Sequence, residues 1–214
     1  MTLDELRNYL RDRLSIAASD STKQTQIDTV LNTEYRRLCA EERLNIERTT
    51  MGLVANSQLA DLPNDWQETI AIRYGAKVLQ PINLQRFAEL DAASENGTET
   101  SDGPSMYYQE SPERIRVWPT PTETNSTALT IWYVARPDAM TSGGNSPTAL
   151  PVEYHDLLAE MAVARIALNE EAFDLASSAQ AIVNELRGRM QGQMRKRQGA
   201  GNERVVLHHY GVGT

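Results

Sequence analysis

The sequence predicts an α+β fold: an antiparallel four-helix bundle carrying a β-rich insertion of short antiparallel strands and ending in an extended C-terminal tail. Three observations predict it. Apolar residues recur at helical spacing near both ends of the chain, at Leu3, Leu6, Leu10 and Leu14, and again at Leu175, Ala179, Ile182 and Leu186. Between residues 48 and 137 the apolar period falls from 3.6 to 2. The last 17 residues, QGAGNERVVLHHYGVGT, set four glycines around the apolar centre Val205, Val206, Leu207 and Tyr210.

At the N-terminus, Thr2 and Glu5 form a capping box and open a helix over residues 3–17. Ser19-Asp20-Ser21 ends it. A second helix, with Ile27, Val30, Leu31, Tyr35 and Leu38 in one stripe, follows over residues 22–46. Joined by a short loop, the two make a helical hairpin over residues 1–47.

Residues 48–149 read as the β-rich insertion, with five to seven short strands. Its centre is residues 113–137, where Ile115, Val117 and Trp118 are separated from Leu129, Ile131, Trp132, Tyr133 and Val134 by a tract rich in Pro, Thr, Asn and Ser. This predicts an antiparallel strand pair, the first strand ending at Trp118 because Pro119 and Pro121 cannot donate ladder hydrogen bonds. Residues 49–54 and 58–62 read as short strands around Asn56-Ser57. Residues 67–74 and 77–82 read as a hairpin turning at Gly75, with a helix over 65–79 as the rival reading. A short helix over 84–93 turns Leu84, Phe87, Ala88 and Leu90 inward, and Met106 to Gln109 form a strand feeding the central pair. Residues 94–105 and 138–149, rich in Gly, Ser and Thr, read as mobile segments.

Pro151 suits the first turn of a helix, and Tyr154, Leu157, Leu158, Met161 and Leu168 then face inward. After a bend at Asn169-Glu170, a last helix carries Leu175, Ala179, Ile182, Leu186, Met190 and Met194, close to a 3.5-residue seam. That seam packs against the N-terminal hairpin or against a neighbouring subunit. Residues 150–197 thus complete the bundle, and residues 198–214 form a tail that donates a strand to another chain or frays.

Composition narrows the function. The chain has 214 residues, 6% aromatic content and a net charge of −8. Charge is uneven: residues 1–186 carry 15 Lys/Arg against 28 Asp/Glu, whereas residues 187–214 carry 6 against 1. An acidic body opposes ordinary binding to DNA phosphates, while the basic end suits an acidic protein surface. The single cysteine, Cys39, excludes an internal disulfide and reads as a packed small hydrophobe. No apolar run approaches a membrane span, so no membrane partner is expected.

Chemistry is hard to assemble. Gly143-Gly144-Asn145 lacks the lysine and helix start of a phosphate cradle. His155, His208 and His209 have no further donors at ligand spacing, so neither metal nor other cofactor is expected. No nucleophile lies beside a base, which points away from an enzyme. Trp66, Trp118 and Trp132 can stack nucleic-acid bases, but a β setting makes them core by preference.

Four stretches in order carry a resemblance. They are Leu62-Pro63-Asn64-Asp65-Trp66, then Tyr107-Tyr108 with Ile115-Arg116-Val117-Trp118-Pro119-Thr120-Pro121. Next come Leu129-Thr130-Ile131-Trp132-Tyr133 with Arg136-Pro137, and Leu150-Pro151-Val152-Glu153-Tyr154-His155-Asp156-Leu157-Leu158. Their order resembles the head-to-tail adaptor (connector) proteins of tailed bacteriophages, including tail tubular protein A-like subunits. The resemblance implies a non-enzymatic virion protein of the neck, assembled in the host bacterial cytoplasm. It implies a ring, of roughly twelve copies, between the portal protein and a tail or nozzle protein. DNA passes through such a ring without specific binding, and an acidic or neutral lumen fits that role. Mapped onto this sequence, Arg187, Arg189, Arg195, Lys196, Arg197, Val205, Val206, Leu207 and Tyr210 would dock the portal. Tyr107, Tyr108, Trp118 and Trp132 would make tail-side contacts. The alternative is a DNA-binding or packaging accessory protein that uses the basic C-terminal helix end.

Overall fold

The computed structural model describes the backbone of residues 1–94 and 103–209, and the side chains of residues 1–92 and 103–196. Among them are five α-helices: α1 (Leu3–Leu14), α2 (Ser21–Glu41), α3 (Leu84–Ser94), α4 (His155–Asn169) and α5 (Phe173–His209). The strands are β1 (Ile46–Leu53), β2 (Leu59–Asp61), β3 (Trp66–Tyr74), β4 (Lys77–Val78), β5 (Gln80–Pro81), β6 (Met106–Ser111), β7 (Arg114–Trp118) and β8 (Asn125–Ala135). They fall into two compact units, one of Met1–Glu42 with Asp138–Thr214 and the other of Arg43–Pro137.

In the helical unit, both sides of the capping box form: the Thr2 hydroxyl accepts from the Glu5 amide and the Glu5 carboxylate accepts from the Thr2 amide. Helix α1 stops at Leu14 because Ser15 turns left-handed, at φ 54°. The side chain of Asp20 caps α2 by accepting from the Lys23 amide at 3.0 Å. That helix ends at Glu41, short of residue 46, where Arg43 takes a positive φ of 50° and β1 begins soon after.

The expectation of an antiparallel four-helix bundle with a modest insertion does not hold. Helices α1, α2 and α5 all pack on α4, whose buried residues run from Leu157 through Val163 and on to Ile166 and Ala167, covering its whole circumference. A bundle seam would leave each helix one solvated stripe; α4 has almost none, so it is the core of the unit rather than one of four equal walls. Ala159, Ala162 and Ala167 let its neighbours approach closely. Helix α1 supplies Leu3, Leu6 and Leu10, and α2 supplies Ile27, Leu31, Tyr35, Leu38 and the free thiol Cys39. Helix α5 supplies only Ala179, Val183 and Met190 among its described side chains. Its expected seam is therefore displaced: Leu175, Leu186 and Met194 are half-buried and Ile182 is 36% exposed. Leu168, expected inward, is 51% exposed at the end of α4.

The segment from Asp138 to Ala149, expected to be mobile, is tied down by hydrogen bonds. Asn32 grips Met140 through both its amide groups, at 2.7 and 3.1 Å. The Tyr35 hydroxyl accepts from the Ala149 amide at 2.9 Å, and the Leu3 amide donates to the Asn145 carbonyl at 2.6 Å. Asn145 accepts in turn from Thr141 and Ser142, an Asx-type turn that substitutes for apolar anchors.

The β unit holds two four-stranded sheets, ordered β1-β8-β3-β4 and β2-β7-β6-β5. All pairs are antiparallel except the two-residue pair β5–β6. The hairpin expected between Arg114–Trp118 and Asn125–Ala135 is not formed: β7 and β8 lie in different sheets. Pro119 and Pro121 offer no donors with which to close a hairpin. The linking residues are held instead by the Asn56 amide on the Pro121 carbonyl and the Ala55 amide on the Thr124 hydroxyl. Ile115 and Val117 therefore join Leu129, Ile131 and Tyr133 in a core shared by the two sheets, with Met51, Leu53, Ile72 and Leu79. Residues 67–74 and 77–82 hold strands and not a helix, but the expected hairpin reaches only Lys77–Val78, since Gln80–Pro81 cross to the other sheet and pair in parallel with β6. Among the described side chains of α3 only Phe87 is buried, while Leu84 is 59% exposed. The loop expected over residues 94–105 falls largely outside the described residues.

Candidate interaction surfaces

Within the helical unit, charged groups fasten helices to one another. The Arg7 guanidinium makes two 2.7 Å bonds to Asp28, joining α1 to α2, and a third to Asp4. Glu160 on α4, 2% exposed, accepts from the Tyr9 hydroxyl and, at 3.3 Å, from Arg13. Burial and this carboxylate push the Tyr9 phenol up to about 12. His155, also buried, accepts at Nδ1 from the Met1 amino group at 2.6 Å and donates from Nε2 to the Leu150 carbonyl at 3.1 Å. Burial lowers its pKa, so the ring is held neutral as a structural strut.

An open groove of about 560 Å³ runs between α2, α4 and α5. Buried Glu34 and exposed Arg37 pair there at 3.2 Å, and exposed Leu168 and Phe173 form part of the rim. At its far end Arg187 binds Glu41 at 2.6 Å, with Nε 3.4 Å from Glu42. Arg37 chiefly, and Arg187 with it, holds the Glu41 carboxyl below the usual carboxylate range.

These pairs alter the expected portal-docking set. Arg187 is engaged within the chain and Arg189 pairs with Glu185, one turn earlier on α5. Arg195 and Lys196 are exposed. The backbone of α5 stays helical through His209, so the extended strand expected over Val205, Val206 and Leu207 is not observed. The helix runs through Gly199 and Gly201, the residues expected to break it, and on through the β-branched Val205 and Val206. The side chains of Arg197, Val205, Val206 and Leu207, and all of Tyr210, lie outside the described residues.

The expected tail-side set is also scattered. Tyr107 is buried in the shared core, and desolvation raises its phenol. Tyr108 packs on Phe87, ring centroids 5.8 Å apart. Trp118 is half-buried at the end of β7, opposite Met106. Trp132 stands on the non-core face of its sheet, with the guanidiniums of Arg48 and Arg73 over its ring at 5.2 and 5.8 Å. Sequence reading missed both arginines. The signal was their alternation with buried residues: Arg48 precedes Met51 by an odd step and Arg73 follows Ile72 directly, which sets both outward. Trp66 is different again, donating to the Thr69 hydroxyl at 3.0 Å.

Among the described residues no group of three or more His, Cys, Asp or Glu could hold a metal, and no helix is long and apolar enough to cross a membrane. What remains is a set of charged and aromatic surfaces on two compact units, an arrangement suited to contacts with other chains. A comparison with curated proteins gave no match. The family of SU10 adaptor proteins matches over residues 1–205, nearly the whole chain. The chain thus belongs to the SU10 adaptor protein family, a family of phage head-to-tail adaptors and so of structural virion proteins.

Proposed function

We propose that the chain forms a ring, of roughly twelve copies, that joins the portal to the tail or nozzle and gives DNA a conduit. The observation that carries this reading is the adaptor-family match across residues 1–205. Exposed apolar residues beside the α2–α4–α5 groove, Leu168 and Phe173, supply surface for neighbours. The exposed cations Arg195 and Lys196 of α5 suit an acidic portal surface. The chain's net charge of −8 lets DNA slide past rather than adhere.

The DNA-binding alternative draws less support. Of the described basic residues near the C-terminus, Arg187 and Arg189 are already neutralised by Glu41, Glu42 and Glu185. Ring assembly is tested by native mass spectrometry of the purified chain, alone and mixed with portal protein. A portal-dependent oligomer is the expected result, and a mixture in which the two proteins stay apart would refute the proposal.

A further inference from the structure

One face of the sheet β1-β8-β3-β4 carries a cluster of two arginines and a tryptophan. The strand register sets Arg48 opposite Trp132 and Ile46 opposite Val134 on one face, where Val134 is buried and the other three are exposed or half-buried. On the other flank Arg73 stands opposite both Thr130 and Val78, again outward. Ile46 and Val78 are 57% and 59% exposed. Two guanidiniums thus flank one indole, with aliphatic side chains on either side.

The two cations have no carboxylate partner among the described residues. Arg73 donates one bond, to the Ala76 carbonyl at 3.2 Å, and its buried Nε has no acceptor. Elsewhere in this unit Arg43, Arg86, Arg114 and Arg116 each hold a carboxylate of the chain itself. In a protein with a net charge of −8, leaving these two unpaired beside a half-buried Trp wastes favourable charge pairing unless something else supplies the anion.

We propose that this face binds an acidic, extended segment of another virion protein. The proposal rests on the adaptor reading and deepens it by assigning a partner chemistry to Trp132. Carboxylates from alternate residues of such a segment reach Arg48 and Arg73 by bidentate bonds, and the aliphatic side chains between them cover Ile46, Trp132 and Val78. Arg and Trp at the centre of a patch are the residue types that dominate binding energy at protein interfaces. A nucleic acid suits the face less well. Stacking a base needs a free aromatic surface, and the guanidiniums already lie over the Trp132 ring.

The test titrates the purified full-length chain with a fluorescein-labelled peptide of alternating Asp and Leu, and in parallel with a labelled DNA duplex. The acidic peptide should bind, and more weakly as salt is raised. Arg48→Ala and Arg73→Ala should each weaken it about tenfold. Trp132→Leu should weaken it as well, while Arg114→Ala, on the other sheet, should not. Arg48 is exposed, so its removal should spare the fold, and an unchanged far-ultraviolet circular dichroism spectrum confirms that for every variant. No peptide binding, peptide binding by either Arg→Ala variant as tight as by the unaltered chain, or tighter binding of the duplex would each overturn the proposal. Portal binding by the same preparations separates the two readings. A chain that binds portal but not the peptide overturns this inference alone, whereas a chain that fails to bind portal overturns the adaptor reading.

Discussion

Glu160 is the sharpest test of how the helical unit is held together. Its carboxylate is 2% exposed inside α4 and has two partners, the Tyr9 hydroxyl and Arg13 at 3.3 Å, both from α1. Tyr9→Phe removes the closer donor and leaves a buried anion with one long contact to a guanidinium that is 35% exposed. Stranding a buried charged acceptor costs about 2–3 kcal/mol, against about 1 kcal/mol for an ordinary hydrogen bond. Glu160→Leu removes the anion itself and keeps the volume, so the double variant should be less destabilised than the sum of the singles. A coupling of at least about 1.5 kcal/mol is expected. Urea unfolding followed by circular dichroism at 222 nm is the assay. The tryptophans are unsuitable reporters here, since Trp66, Trp118 and Trp132 all lie in the β unit. A Tyr9→Phe cost below about 0.5 kcal/mol, the range of a neutral surface change, would show that Glu160 is hydrated and that this account of α1 docking is wrong.

Further outcomes follow from particular residues. Ile131→Ala, in the core shared by both sheets, should cost about 2–5 kcal/mol, read by tryptophan fluorescence during urea unfolding; a loss under 1 kcal/mol would mean that β7 and β8 do not face one another across a packed interior. Stability should fall with alkali. Burial raises the Cys39 thiol from 9.0 to about 12, and burial with Glu160 raises the Tyr9 phenol from 10.0 to about 12. Both folded-state values lie above the unfolded ones, so the stability they lend is complete below pH 9 and is lost as pH rises toward 12. Cys39→Ala should flatten the first part of that decline, and a denaturant midpoint independent of pH from 9 to 11 would contradict it. Acid should act in the opposite sense through His155, whose folded value is lowered by burial: its contribution is present above pH 6.5 and lost below it, and His155→Gln should blunt the change. Reversing Arg195 and Lys196 to Glu should weaken portal binding at least tenfold with no change in melting temperature, and unaltered binding would remove α5 from that interface.

Much of the architecture can be read from the residues, and the failures share a cause. The capping box at Thr2 and Glu5, the α2 stripe, the strand after Pro63 and the end of β7 at Trp118 are all local signals, encoded within one or two turns or along one strand. What escaped is pairing over distance. Nothing local says that Arg114–Trp118 and Asn125–Ala135, adjacent in sequence, belong to different sheets. Helix α4 lacks a polar stripe, and that was a legible sign of a central helix, but a four-walled bundle absorbed it. The segment after Asp138 looked loose because its anchors are Asn32 and Tyr35, more than 100 residues away. Among surface residues, Trp132 was visible and its flanking arginines were not, since Arg48 and Arg73 meet it only across neighbouring strands.

The central claim concerns place and symmetry, and cryo-electron microscopy of the intact phage particle tests it most directly. The account predicts a closed ring of this chain at the neck, one face on the portal and the other on the tail, with DNA in its lumen. A particle in which the chain is absent from the neck, or sits there as isolated copies without a closed ring, would contradict it.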